Sequence, residues 1–242
     1  MSPDDNKKVF DEYFDSIFEG SNILTEDQFE KMAGGFNANF SKFIPQNKNS
    51  KILDIGCGCG HFLYYLKREG YVNFYGIDIS SQQIDYCKKN ISERAEIADV
   101  FEFLKDKKGA YDFISMISFL EHIPKEKILG LLGLVYDSLK KSGLLIVEVP
   151  NMANPLSLNL RYRDFSHEVG FTEISLKQVL WLAGFRDIQV FSPKVRVRSF
   201  RNLVRSKLNE MFFGLLKFLY YIQDFAVPEN LRAAIIAVAK KQ

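Results

Sequence analysis

Apolar side chains recur along this chain with two different periods, and the change falls near residue 51. Before it the spacing is helical. Val9, Phe10, Tyr13, Phe14, Ile17 and Phe18 share one face, and Phe29, Met32, Phe36, Phe40 and Phe43 share another. The second run is interrupted by Gly34-Gly35 and ended by Pro45. Residues 1–46 are therefore expected to form an N-terminal helical cap, joined by the polar stretch Gln46 to Ser50 to a larger domain over 47–242.

From there short apolar runs alternate with amphipathic ones. Strands are predicted at Lys51–Ile55, Phe74–Ile79, Arg94–Ala98, Tyr111–Ile117, Leu144–Val149, Asp187–Ser192 and Ala233–Ala239. Helices are predicted from His61 to Glu69 and over Ser81–Asn90, with Ser80 or Ser81 as N-cap. Two more are predicted over Lys125–Lys141, closed by Ser142-Gly143, and over Ser175–Ala183, closed by Gly184. Alternating strands and helices imply an α/β fold, a mostly parallel sheet with helices on both faces. The stretch 194–230 has no place in that alternation and is expected to be a helical insertion before the last strand.

Composition narrows the class. Hydrophobic residues make up 47% and charged residues 26%, a globular balance. The net charge of only +2 gives no support to nucleic acid as a partner. Three cysteines, Cys57, Cys59 and Cys87, are too few and odd in number for a disulfide framework. The segment Met1 to Phe10 lacks an apolar core of the signal-peptide kind, and no uncharged run reaches membrane-spanning length. A cytoplasmic protein is the expectation.

The chemistry begins at Asp54-Ile55-Gly56-Cys57-Gly58-Cys59-Gly60. A strand runs into three alternating glycines and then a helix, whose unpaired N–H groups face whatever the loop binds. A nicotinamide dinucleotide site is the rival, but its fingerprint needs glycine at the sixth position, where His61 stands. Acids follow the next two strands: Asp78, placed to accept a pair of ribose hydroxyls, and Asp99, placed to accept an adenine amino group. Cys57 and Cys59 form a C-x-C pair, but no second pair completes a zinc set. They are taken as small side chains in a crowded loop.

The glycine loop resembles the first motif of the class I S-adenosylmethionine-dependent methyltransferases. Tyr111–Ser115 and Leu139–Ile146 resemble that family's fourth strand and the turn into its fifth. The resemblance covers about residues 51–192 and implies a Rossmann-like sheet of seven strands, the last antiparallel. It implies S-adenosylmethionine as cofactor. Asp54 would then lie near its amino group, the loop Gly56, Cys57, Gly58 and Gly60 under its methionine part, Asp78 and Ile79 at the ribose, and Asp99 with the Val100 N–H at the adenine.

Groups that handle the methyl acceptor are expected after the fourth and fifth strands. The fourth leads to Ser118-Phe119-Leu120-Glu121-His122, which resembles the ubiquinone-type O-methyltransferases. In those enzymes a Glu three residues ahead of the Glu-His pair helps hold a divalent cation. Ser118 occupies that position here, so no metal is expected. The fifth strand leads to Arg161-Tyr162-Arg163-Asp164-Phe165-Ser166-His167-Glu168, a charged loop. It resembles methyltransferases of bacterial surface polysaccharide and glycolipid pathways. His167 is the expected base and Asp164 its orienting partner, with Glu121 and His122 as further catalytic candidates.

Lys194, Arg196, Arg198, Arg201, Arg205 and Lys207 precede the apolar run Met211 to Tyr221. Such a segment suits peripheral contact with an anionic membrane, a homodimer interface, or plain packing on the sheet. The resulting expectation is O-methylation of a sugar, nucleotide-sugar or phosphorylated glycan precursor. The alternatives are a quinone precursor or another small O- or N-acceptor, and a non-catalytic cofactor-binding subunit.

Overall fold

A computed structural model describes residues 24–194 and 199–242. The first helical run, Val9 to Phe18, and Arg196 and Arg198 lie outside the described residues. Seven strands form one sheet: β1 (Ile52–Ile55), β2 (Phe74–Asp78), β3 (Ala95–Ile97), β4 (Tyr111–Ile117), β5 (Leu139–Pro150), β6 (Arg186–Phe191) and β7 (Ala234–Lys240). Their order is β3-β2-β1-β4-β5-β7-β6. The first five are parallel, while β7 runs antiparallel to both β5 and β6. This is the Rossmann-like sheet that the resemblance implied.

Period-two alternation divides the side chains between two cores. Leu53, Ile114 and Leu145 join one hydrophobic cluster with helix α5 (Ile128–Ser138), while Ile52, Phe113 and Ile146 join the other. Helices α1 (Glu26–Phe40) and α2 (His61–Arg68) close the second face, where Phe36 meets Phe62 edge-on at 5.3 Å between centroids. The chain between the strands also forms α3 (Ser81–Asn90), α4 (Val100–Leu104), α6 (Leu158–Arg163), α7 (Glu173–Leu182) and α8 (Phe200–Ile222).

Several expectations need correction. Gly34-Gly35 does not interrupt the second N-terminal helix: α1 runs through it, held by the buried Phe29, Ala33, Phe36 and Phe40. The helix expected to reach Lys141 stops at Ser138. Buried Leu139 instead takes extended geometry and pairs with Tyr111, and Lys140 binds Asp112 at 2.8 Å. The polar turn Lys140 to Gly143, with Ser142 at φ 64°, is thus an irregularity inside β5 rather than a helix end. Helix α7 starts two residues earlier than expected, because Thr172 and Ser175 form a reciprocal capping box. The segment after β5 is not all loop, since Arg161 to Arg163 belong to α6. Finally, none of the 23 positions of the insertion helix α8 is buried, so it does not pack into the sheet as a core helix. The Tyr220 hydroxyl tethers it to the Ala153 carbonyl at 3.1 Å.

Candidate active site

Strand order reverses at β1, which lies between β2 and β4, and open α/β sheets form their ligand crevice outside such a point. A cavity of about 760 Å³ opens there. It is lined by Asp54, Gly56, Cys57, Gly58, Asp78, Ile79, Asp99 and Val100, that is, every expected cofactor residue except Gly60.

The loop geometry explains the glycines. Gly56 sits at φ 73°, and a Cβ there would lie 2.4 Å from the Phe119 ring. Gly58, at φ 52°, aims its N–H at Asp78 Oδ2, 2.9 Å away. Gly60 turns the chain into α2 behind the cavity wall.

The acids differ in role. Asp78 accepts from Gly58 N–H and, through Oδ1, from Ser80 N–H at 2.9 Å. Burial pushes its carboxyl up, and these bonds hold it back. Asp54 is buried and accepts from the Ser115 hydroxyl at 2.8 Å. Burial raises its pKa to about 7, the Ser115 bond lowers it, and the nearby Asp78 charge adds to the rise. Asp99 caps α4, accepting from Phe101 and Glu102 N–H at 2.9 and 3.1 Å. The buried cysteines are free thiols, and burial pushes Cys59 up to about 12.

Past these residues the same cavity reaches Ser118, Phe119, Glu121, His122, Glu148, Arg163, Asp164 and His167. Two segments meet here. Glu121 stands in a 3-10 turn, Leu120–His122, after β4, and its carbonyl accepts from Glu168 and Val169 N–H at 2.8 and 3.1 Å. His122 Nδ1 bonds Ser166 Oγ at 2.8 Å, and that hydroxyl donates to Asp164 Oδ1 at 2.5 Å. His167 Nε2 is 3.8 Å from Asp164 Oδ2, and the two imidazole centroids are 4.7 Å apart. Asp164 was expected to orient His167. It faces that ring, but its hydrogen-bonded chain runs through Ser166 to His122. Arg161 is spent on the His167 and Glu168 carbonyls.

Burial dominates the titration of this end. It pushes Glu121 up to about 8 and Glu148 to about 7, while lowering His122 to about 4 and His167 below the ordinary imidazole value. At neutral pH both rings are uncharged. Sequence reasoning missed Ser166, Ser115 and Glu148. Glu148 did carry a signal, as the one acid inside the most hydrophobic strand, Leu144–Val149.

A family described as methyltransferase domain matches residues 24–190. Among solved structures the chain is similar to an S-adenosylmethionine-dependent methyltransferase of Archaeoglobus fulgidus, with 26% identity, TM-score 0.65, and 97% of this chain covering 99% of that one. It is similar in fold to one of Thermotoga maritima at 16% identity and TM-score 0.66, over 98% of this chain and 100% of that one. It also resembles Haemonchus contortus phosphoethanolamine N-methyltransferase 2 bound to phosphomonomethylethanolamine and S-adenosylhomocysteine. That likeness has 16% identity and TM-score 0.59, over 96% of this chain and 60% of the other. No curated protein matches the sequence. The chain belongs to the methyltransferase-domain family and is a class I S-adenosylmethionine-dependent methyltransferase. Its cavity fits that cofactor: the Gly56 position has no room for a Cβ, and the acids of β1 and β2 stand side by side on one wall.

Proposed function

We propose that this enzyme methylates a hydroxyl of a sugar, nucleotide-sugar or phosphorylated glycan precursor of surface polysaccharide biosynthesis. The observation that carries the reading is the convergence of Glu121, His122, Asp164 and His167 at one end of the cofactor cavity. In the transfer, the C–S bond breaks with its electron pair going to sulfur. The acceptor oxygen bonds the methyl carbon and gives up its proton. A neutral imidazole is suited to take that proton, and His167, facing Asp164, is the base in this reading. Asp54, Asp78, Asp99 and the glycine loop hold the amino group, ribose, adenine and methionine part of the cofactor. Arg163 on the cavity wall suits a phosphorylated acceptor.

Helix α8 supports a location at the inner face of a membrane. Leu208, Met211, Leu215 and Phe218 are exposed beside Arg201, Arg205 and Lys207, and no described helix is long and apolar enough to cross a bilayer. A second copy of the chain is the rival occupant, to be separated from lipid by vesicle sedimentation alongside light scattering.

A quinone precursor is disfavoured because Ser118 breaks the Glu-x-x-Glu-His pattern of the ubiquinone-type enzymes, and a non-catalytic subunit by the crowd of titratable groups. Methyl-labelled cofactor, offered with nucleotide sugars, lipid-linked glycans, quinols and phosphoamines, tests the proposal. Turnover of a glycan hydroxyl supports it, and exclusive turnover of an amine or quinol overturns it. With an acceptor in hand, His167→Ala should lower turnover roughly a hundredfold or more at unchanged cofactor affinity.

A further inference from the structure

We propose that Glu121, His122 and His167 form a site for one divalent transition-metal ion at the acceptor end of the cavity. The three contribute one carboxylate oxygen and two ring nitrogens, and one such atom from each lies within 4.8 Å of the others. Ligands about 2.0–2.2 Å from a common ion stand roughly 3–4 Å apart, so side-chain adjustments of under about 1 Å complete the set.

Two of the donor atoms make no hydrogen bond among the described residues. Glu121 is 2% exposed, and its Oε2 has no hydrogen-bond partner among the described residues. His167 Nδ1 is likewise buried without one. A buried acceptor left unmade costs free energy, so it points to something that binds there.

The surroundings are those of a ligating histidine pair. A metal-bound imidazole uses one nitrogen for the ion and is aimed through the other by a carboxylate or hydroxyl. Asp164 faces both rings. Its Oδ1 reaches His122 Nδ1 through the Ser166 hydroxyl, and its Oδ2 faces His167 Nε2 at 3.8 Å. The Glu168 and Val169 N–H bonds to the Glu121 carbonyl pin the two ligand-bearing segments together. Ser118 removes the carboxylate expected for a hard cation, and His167, from a different segment, supplies a nitrogen instead. Two imidazoles and one carboxylate suit zinc, cobalt, iron or manganese better than magnesium or calcium. Three protein ligands leave positions open for oxygen atoms of the acceptor.

The inference rests on the proposed function only for where the acceptor sits. An ion and a proton cannot share the His167 lone pair. With the ion bound, His167 would serve as a ligand rather than as the base of the proposed function, and the ion would supply the acidification of the acceptor hydroxyl.

The test needs no acceptor. Chelator-treated protein is titrated with Co²⁺ by visible absorption and with Zn²⁺ by calorimetry. One equivalent should bind in the micromolar range or tighter, with the cobalt spectrum of nitrogen and oxygen ligands. Glu121→Gln and His167→Ala should each weaken binding roughly a hundredfold, and Asp164→Asn about tenfold. Retained binding of S-adenosylhomocysteine shows that a variant is folded. The absence of saturable binding by the wild-type protein below millimolar Co²⁺ overturns the proposal whatever the variants do. So does equal affinity in folded Glu121→Gln and His167→Ala. Glycan-hydroxyl turnover unaffected by chelator would sink the metal role alone. Tight metal binding with turnover only of amines would sink the hydroxyl reading alone.

Discussion

Replacing Asp78 separates the methyltransferase cavity from a merely glycine-rich turn. Its carboxylate already accepts Gly58 and Ser80 N–H at 2.9 Å each, which fixes it at the end of β2 with lone pairs left for two ribose hydroxyls. Hydrogen bonds to a charged group contribute about 1.5–3 kcal/mol each, so losing both hydroxyl bonds removes roughly 3–6 kcal/mol. At about 1.4 kcal/mol per decade that is two to four decades of affinity. Water entering the gap in Asp78→Ala offsets part of this, so a loss of about a hundredfold or more is expected. Asp78→Asn is no gentler. Both carboxylate oxygens face backbone N–H groups, so the amide must turn its own NH₂ toward one of them. Free-protein stability should fall less than affinity, because the orphaned Gly58 N–H is balanced by relief of a buried charge whose pKa is already raised. Calorimetry with S-adenosylhomocysteine gives the affinity, and thermal unfolding without ligand gives the stability. Affinity within threefold of wild type in a folded variant, or preferential binding of NADH, would refute the assignment.

Three further outcomes follow from the same geometry. Asp54 titrates near 7 in the free protein and must be ionised to face a cofactor ammonium. Affinity for S-adenosylhomocysteine should therefore be flat above that pH and fall toward about tenfold per unit below it, with proton release visible in buffers of different ionisation heat. Since its folded value lies above the ordinary 3.8, ionising Asp54 costs the free protein stability as pH rises from about 4 to about 7, and Asp54→Asn should remove that dependence. Gly56→Ala puts an L-residue at φ 73° and a methyl into the Phe119 ring, a loss of about 1–2 kcal/mol for the backbone alone. Gly130→Ala, in α5 with nothing within 4 Å of the new Cβ, should gain about 0.5–1 kcal/mol, both read by denaturant unfolding. Ser166→Ala cuts the Asp164–Ser166–His122 chain. It should lower turnover or metal affinity about tenfold while leaving S-adenosylhomocysteine binding intact, and a loss of cofactor binding would instead make Ser166 a scaffold residue.

The cavity wall proposed to hold the cofactor was legible because it is local. Asp54 to Gly60 is one strand-to-helix turn, and Asp78 and Asp99 close the next two strands, so spacing along the chain maps onto the cavity wall. The strands were legible too, since alternation assigns Ile52 and Leu53, or Phe113 and Ile114, to opposite cores. Helix ends were less so. Leu139 leaves α5 because β4 offers Tyr111 as a ladder partner, and no periodicity in Lys125–Lys141 encodes that.

At the other end of the cavity the residues were named from sequence but their arrangement was not, because it is made by segments 44 residues apart. Glu121 and His122 carry a recognisable pattern, from which Ser118 departs. What the pattern omits is that the Glu168 and Val169 amides dock on the Glu121 carbonyl and carry His167 to the Glu121–His122 pair. Ser118 meets the same kind of remote compensation. Its N–H bonds the Glu148 carbonyl, and Ser118 and the half-buried Glu148 line the same cavity. A substitution in a linear motif removes one donor from one segment, whereas the donor set of a cavity is assembled by the sheet. In the proposed arrangement the methyl donor would sit against β1 to β3, and the acceptor's chemistry would come from what β4 and β5 present together. For that reason the Glu121, His122 and His167 variants should alter the acceptor step and metal binding while Asp78 variants alter cofactor affinity, and the two sets should combine additively if the two halves are independent.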